Sequence, residues 1–80
     1  MKIRVEFADS LTQFTDGAEH VDIEIAEGAS PHAVLDALGV PTDAGYLLIV
    51  NESVIAKANR ETHVLTDGDT LEILPPLKGG

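Results

Sequence analysis

The residues best placed for chemistry are the last six, Pro75-Pro76-Leu77-Lys78-Gly79-Gly80. Two adjacent prolines hold a chain extended and stiff, near polyproline II geometry. Gly79 and Gly80 do the opposite: without Cβ they take almost any backbone path and can pass a channel too narrow for side chains. Beyond them lies an α-carboxylate with nothing bulky beside it. A carboxylate is a poor acyl donor because its oxygen leaves badly. Activation by ATP to an acyl-adenylate removes that obstacle, and attack by a sulfur nucleophile then gives a thiocarboxylate. The tail has the parts this chemistry needs: an unhindered terminal carbonyl and several residues of reach. Frayed ends are also often glycine-rich. At ~7% glycine usage a Gly-Gly end arises by chance about 0.5% of the time, so the position directly after a strand and Pro-Pro is what favours function.

Other constellations carry less. His20, His32 and His63 stand on different segments with no metal-ligand spacing between them, so no metal site is expected. Ser10, Ser30 and Ser53 lie in no nucleophile motif, and Ser30 is better read as a helix cap. No pair of carboxylates stands in an apolar setting that would suit acid–base work. The glycines at 28, 39, 45 and 68 lack phosphate-loop spacing.

Composition narrows the classes further. The chain has 80 residues, 44% hydrophobic, with no cysteine and a net charge of −9. That allows one small core and excludes a disulfide framework, a thiolate metal site and a cysteine nucleophile. The acidic balance opposes nucleic acid and favours basic protein partners, although it also keeps a small protein soluble. No segment reaches the ~20 apolar residues of a membrane helix, and the first residues alternate without a signal-peptide block. The expected location is cytoplasmic.

The elements that must position the tail are legible in the pattern. Ile3, Val5 and Phe7 alternate with Lys2, Arg4 and Glu6, and Val21, Ile23 and Ile25 alternate likewise: two strands, most simply a hairpin, joined by a polar connection through Asp16-Gly17. Ser30-Pro31 reads as N-cap and N1 of a short helix with Val34, Leu35 and Leu38 on one stripe, ended at Gly39. Tyr46 to Val50 is a continuous apolar run, as for a strand covered on both faces, and Val54-Ile55-Ala56 can return as a short strand. Residues 57–66 are polar and irregular, with Val64 and Leu65 as expected anchors. After the Asp67-Gly68-Asp69 turn, Thr70 to Leu74 forms the last strand, stopped by Pro75-Pro76. The layer rule gives an α+β domain: a mixed four- to five-stranded sheet with one main helix, a ubiquitin-like β-grasp over residues 1–74, and a flexible carboxyl-terminal tail at 75–80.

Several motifs together resemble the MoaD/ThiS family of ubiquitin-like sulfur carriers, nearest its MoaD branch. They are Phe7-Ala8 with Leu11, then Gly17, Glu19 and Val21; Glu27-Gly28-Ala29; Leu35-Asp36-Ala37-Leu38; Val50-Asn51; and Asp67-Gly68-Asp69, Leu71-Glu72-Ile73, Pro75-Pro76 and Gly79-Gly80. The segment from Gly39 to Gly45 is short, nearer the ThiS layout, whereas Pro75-Pro76 is MoaD-like.

The resemblance implies a carrier that is not itself an enzyme. An E1-like activating enzyme of the MoeB/ThiF type would adenylate Gly80, with Gly79 beside it, using ATP and Mg²⁺ that it binds itself. A sulfurtransferase would then supply sulfur, and an acceptor synthase subunit of the MoaE type would receive it for molybdopterin. The carrier would bind no cofactor. Pro75, Pro76, Leu77 and Lys78 would contact partners; Leu74 is expected to pack on the domain's own core. The same chemistry also serves thiamine thiazole, tRNA thiolation or protein conjugation. In a different class stands a passive β-grasp binding module whose Gly-Gly is incidental.

Overall fold

The computed structural model describes residues 1–76. Five strands form one mixed sheet: β1 (Lys2–Phe7), β2 (His20–Glu24), β3 (Leu47–Val50), β4 (Ser53–Ile55) and β5 (Thr70–Leu74). Their spatial order is β2-β1-β5-β3-β4. β1 pairs antiparallel with β2, and β3 antiparallel with β4 and with β5. The one parallel pair is β1 with β5, in register from Arg4 opposite Thr70 to Phe7 opposite Ile73. One α-helix, α1 (Pro31–Ala37), supplies the crossover and covers one face. This is the β-grasp arrangement expected from the order of elements.

The core follows the alternation. Ile3, Val5 and Phe7 from β1, Leu71 and Ile73 from β5, and Leu48 and Val50 from β3 pack with Val34 and Leu35 of α1 in one buried cluster. Each such aliphatic side chain contributes ~1.5–3 kcal/mol by leaving water. Ser30 caps α1 as its type predicts, its Oγ accepting from the Ala33 amide at 3.3 Å, with Pro31 in the first turn. Gly39, at φ 73°, ends it, and the Val40 amide folds back to the Leu35 carbonyl at 2.9 Å.

Four expectations are corrected. The connection between β1 and β2, read as a polar loop through Asp16-Gly17, holds a 3-10 helix at Asp9–Thr15 that buries Leu11. The apolar run at 46–50 is covered on one face only. Leu48 and Val50 are buried, while Leu47 and Ile49 are half-buried on the face that no helix covers. Of the two anchors expected in residues 57–66, Leu65 is buried but Val64 is 60% exposed. Leu74 does not join the core; it has the parity opposite to Leu71 and Ile73, and stands half-buried beside Leu47 on the open face.

The start of β5 is held by a polar clamp. Asn51 donates its amide N–H to the Asp69 carboxylate at 2.8 Å and accepts from the Thr70 amide at 3.0 Å. The same carboxylate accepts from the Thr66 amide at 2.8 Å and its hydroxyl at 3.0 Å. The backbone of Arg4 donates to the Asp69 carbonyl, and Gly68 donates to the Lys2 carbonyl. One turn thus fixes β5 against both of its neighbours. Partial burial pulls the Asp69 pKa upward. The hydrogen bonds from Thr66 and Asn51, helped by the nearby charge of His63, outweigh it and hold the carboxyl below its ordinary value.

Two measurements test these local accounts. Asn51 (φ 47°) and Glu52 (φ 74°) form a two-residue turn with both φ values positive, the geometry in which glycine replaces a strained residue favourably. Glu52→Gly is expected to raise stability by about 0.5 kcal/mol, seen as a higher urea midpoint at unchanged slope. Because the folded pKa of Asp69 is depressed, its contribution is complete above the unfolded value near ~3.9 and is lost as pH falls through the lower folded value. Asp69→Asn should therefore cost about 1 kcal/mol at neutral pH, and the difference from wild type should shrink on titration below about pH 4.

Candidate functional site

The geometry bearing on the tail begins where β5 ends. β5 lies in the middle of the sheet, bonded to β1 on one side and β3 on the other, so its end has a fixed position and direction. Pro75 and Pro76 follow, both exposed and outside regular structure. Their place agrees with a tail root open to a partner. Leu77, Lys78, Gly79 and Gly80, the remaining site residues read from sequence, lie outside the described residues.

Beneath the root the structure gathers residues that the sequence scatters. A Cβ built on Gly45 would come within 3.9 Å of the Pro76 ring, so the backbone at Gly45 adjoins that proline. Next to Gly45 stands Tyr46, whose ring meets Phe14 edge-on at 6.3 Å; Phe14 in turn lies 6.5 Å from Phe7. All three aromatic residues of the chain form this one ladder, linking β1, the 3-10 helix and the approach to β3. Their role is to pack the end of the domain next to Gly45 and the tail root. Arg60, 7% exposed, reaches the same place and donates from Nη2 to the Tyr46 carbonyl. Nothing in the sequence separates Arg60 from the solvated residues around it.

The open face of the sheet beside β5 is divided by chemistry. The register aligns His20, Glu6, Glu72, Ile49 and Val54 in one row across all five strands. Its acidic end continues into a shallow cleft bounded by Glu6, Asp9, Glu19, His20 and Glu72. Its other end is apolar, with Ile49 next to Val54, and Leu47 next to Leu74 in the adjoining row. When ionised, carboxylates only accept hydrogen bonds and never donate them, so this cleft suits cationic groups and repels phosphates. Among the described residues no group of three or more histidines and carboxylates could hold a metal ion, and no helix is long and apolar enough to cross a membrane.

Comparison with known proteins agrees with this geometry. The model of the ThiS family matches residues 5–80. No curated protein matches the sequence significantly. Among solved structures, SAMP1 from Haloferax volcanii is similar with a TM-score of 0.76 at 18% identity, covering 100% of both chains. The thiamine biosynthesis protein ThiS from Geobacter metallireducens superimposes with a TM-score of 0.70 at 21% identity, again over 100% of both. A chain from the complex of subunits 1 and 2 of the molybdopterin-converting factor of Helicobacter pylori gives 0.65 at 24% identity and 100% of both. At these identities the structures establish the shared fold. The family match, running from within β1 through Gly80, establishes more: the chain belongs to the ThiS family of small ubiquitin-like sulfur carriers.

Proposed function

We propose that the carboxyl group of Gly80 is the sulfur-carrying site and that the sulfur is destined for molybdopterin. The observation that carries the reading is the placement of the tail's root: β5 is clamped at its start and paired on both sides, and two exposed prolines follow it. Four further residues can reach up to about 14 Å when extended. A partner that docks on the domain therefore receives the terminal carboxylate within a small volume, which replaces a bimolecular search by a positioned one.

In the proposed cycle an E1-like enzyme of the MoeB/ThiF type binds ATP and Mg²⁺. The Gly80 carboxylate attacks the α-phosphate, forming the acyl-adenylate and releasing pyrophosphate. Hydrosulfide, or the sulfur of a sulfurtransferase persulfide, then attacks the carbonyl carbon and AMP leaves. With hydrosulfide the product is the thiocarboxylate directly; with a persulfide, a thiol must cleave the resulting acyl disulfide. The carrier's part is to present the carbonyl. Its acidic cleft at Glu6, Asp9, Glu19 and Glu72 is unsuited to a nucleotide, which agrees with ATP binding on the activating enzyme.

Pro75-Pro76 and the likeness to a chain of the molybdopterin-converting factor complex favour an acceptor subunit of the MoaE type, with Pro75, Pro76, Leu77 and Lys78 as partner contacts. A second reading, delivery to thiamine thiazole, has the short segment from Gly39 to Gly45 and the likeness to ThiS in its favour.

The test is the intact mass after incubation with a MoeB-type enzyme, ATP and sulfide. One oxygen replaced by sulfur at Gly80 is expected, dependent on ATP and absent when Gly80 is deleted. No change, while a control carrier converts under the same conditions, would overturn the reading in favour of a passive binding module. Capture on the loaded protein then decides the destination: a MoaE-type subunit supports molybdopterin, a thiazole synthase supports the second reading.

A further inference from the structure

Arg60 is the only buried charged side chain among the described residues, and no carboxylate there pairs with it. Its Nη2 donates to the Tyr46 carbonyl, while Nε is buried and lacks a partner among those residues. Its backbone is committed as well, the carbonyl accepting from the His32 amide at the start of α1 at 2.9 Å. Burying an unpaired guanidinium is unfavourable, and an apolar side chain of similar volume commonly fills such a space at lower cost. What the guanidinium supplies and an apolar group cannot is a directed hydrogen bond. It falls on the carbonyl of Tyr46, the residue directly after Gly45, which lies at φ 78° with its backbone adjoining the Pro76 ring.

We propose that Arg60 is a positioning residue for the tail: by holding the Tyr46 carbonyl it fixes the Gly45–Tyr46 bend against which Pro76 rests, and so sets the direction in which the chain leaves the sheet. Its functional consequence rests on the sulfur-carrier reading; its structural content does not. Arg60 touches no reacting atom. It acts through one backbone carbonyl and one proline, and a change of direction at Pro76 is magnified over the four residues beyond it. Misplacement of a reacting group by about 1 Å can cost ~100-fold in rate. Arg60 is buried, so replacing it leaves the exposed side chains of the domain outside the tail root unchanged.

The test compares wild type with Arg60→Met, which cannot donate, and Arg60→Lys, which keeps one donor for the Tyr46 carbonyl. In solution NMR, nuclear Overhauser contacts between the Gly45 α-protons and the Pro76 ring are expected in wild type and Arg60→Lys. They should weaken at least about twofold in Arg60→Met, with the Leu48 and Leu71 resonances unmoved. In ATP-dependent loading, Arg60→Met should lower kcat about tenfold with KM within about twofold, and Arg60→Lys should recover most of the rate. Unchanged Gly45–Pro76 contacts in Arg60→Met overturn the proposal, as does a rise in KM alone or an equal loss in both variants. If Arg60→Met does not fold, Arg60→Gln, neutral and too short to reach, makes the same comparison. If wild type itself is not loaded, the sulfur-carrier reading fails while the proton contacts still decide whether Arg60 positions the tail.

Discussion

The pairing of β5 between β1 and β3 is the constraint on which the rest of the molecule depends. A strand with neighbours on both sides has its backbone donors and acceptors engaged on both edges. With Leu71 and Ile73 buried on one face, it cannot shift register by one residue without turning them out of the core. The parallel partner is the first strand of the chain, so the two ends of the sequence are tied together at the centre of the sheet. The clamp of Asn51, Thr66 and Asp69 then fixes where β5 begins. A small domain stabilised in this way presents whatever follows β5 from a defined origin. Few arrangements of 80 residues could hold the root of a tail so firmly, since a strand at the sheet edge would fray with its neighbour's fluctuations.

The second layer of control lies at the far end of β5. The ladder of Phe7, Phe14 and Tyr46 and the guanidinium of Arg60 meet at Tyr46, next to the Gly45 backbone that adjoins Pro76. Aromatic side chains bring a large contact area on few rotatable bonds, which suits a support that must not move. The 3-10 helix at 9–15 exists for the same end: it carries Phe14 to the ladder and buries Leu11 against the core. Tail direction is therefore a property of residues from four separate segments.

This explains how much could be read from the sequence. Every strand and the helix were legible because each rests on local chemistry: alternation in β1, β2 and β5, the Ser30-Pro31 cap, and the Asp67-Gly68-Asp69 turn. The tail suggested its chemistry because a terminal group needs no fold to be recognised, and its last four residues lie outside the described residues. What the pattern could not give is convergence. The continuous run of Tyr46 to Val50 suggested cover on both faces, whereas the helix covers one face and leaves Leu47 and Ile49 on the other. Leu74 was read as core because apolarity was weighed above parity; counting by twos from Ile73 puts it on the open face. Val64 and Leu65 look alike as anchors, and only the Leu65 amide bond to the Ala29 carbonyl chooses between them. Arg60 carries no sequence signal, because a buried cation is defined by its surroundings.

The division of the open face bears on why such a domain does so little chemistry itself. Next to β5 it offers acceptors, Glu6, Glu72 and Glu19, and then aliphatic side chains at Ile49, Leu47 and Leu74. Acyl activation requires the reverse: donors and cations around developing phosphate charge, and a site from which water is excluded. Creating such a site here would require cations in place of Glu6, Glu19 and Glu72. A carrier of this size gains more by lending its end to a larger enzyme whose pocket supplies those cations. A net charge of −9 would draw such a carrier toward a basic mouth at a rate that salt slows, and it equally keeps a small domain in solution. The apolar half of the face needs no charge to be recognised, and it borders the strand from which the tail leaves. In the proposed cycle a partner that gripped this face would hold the same strand that leads into the tail, and docking and delivery would be coupled through β5.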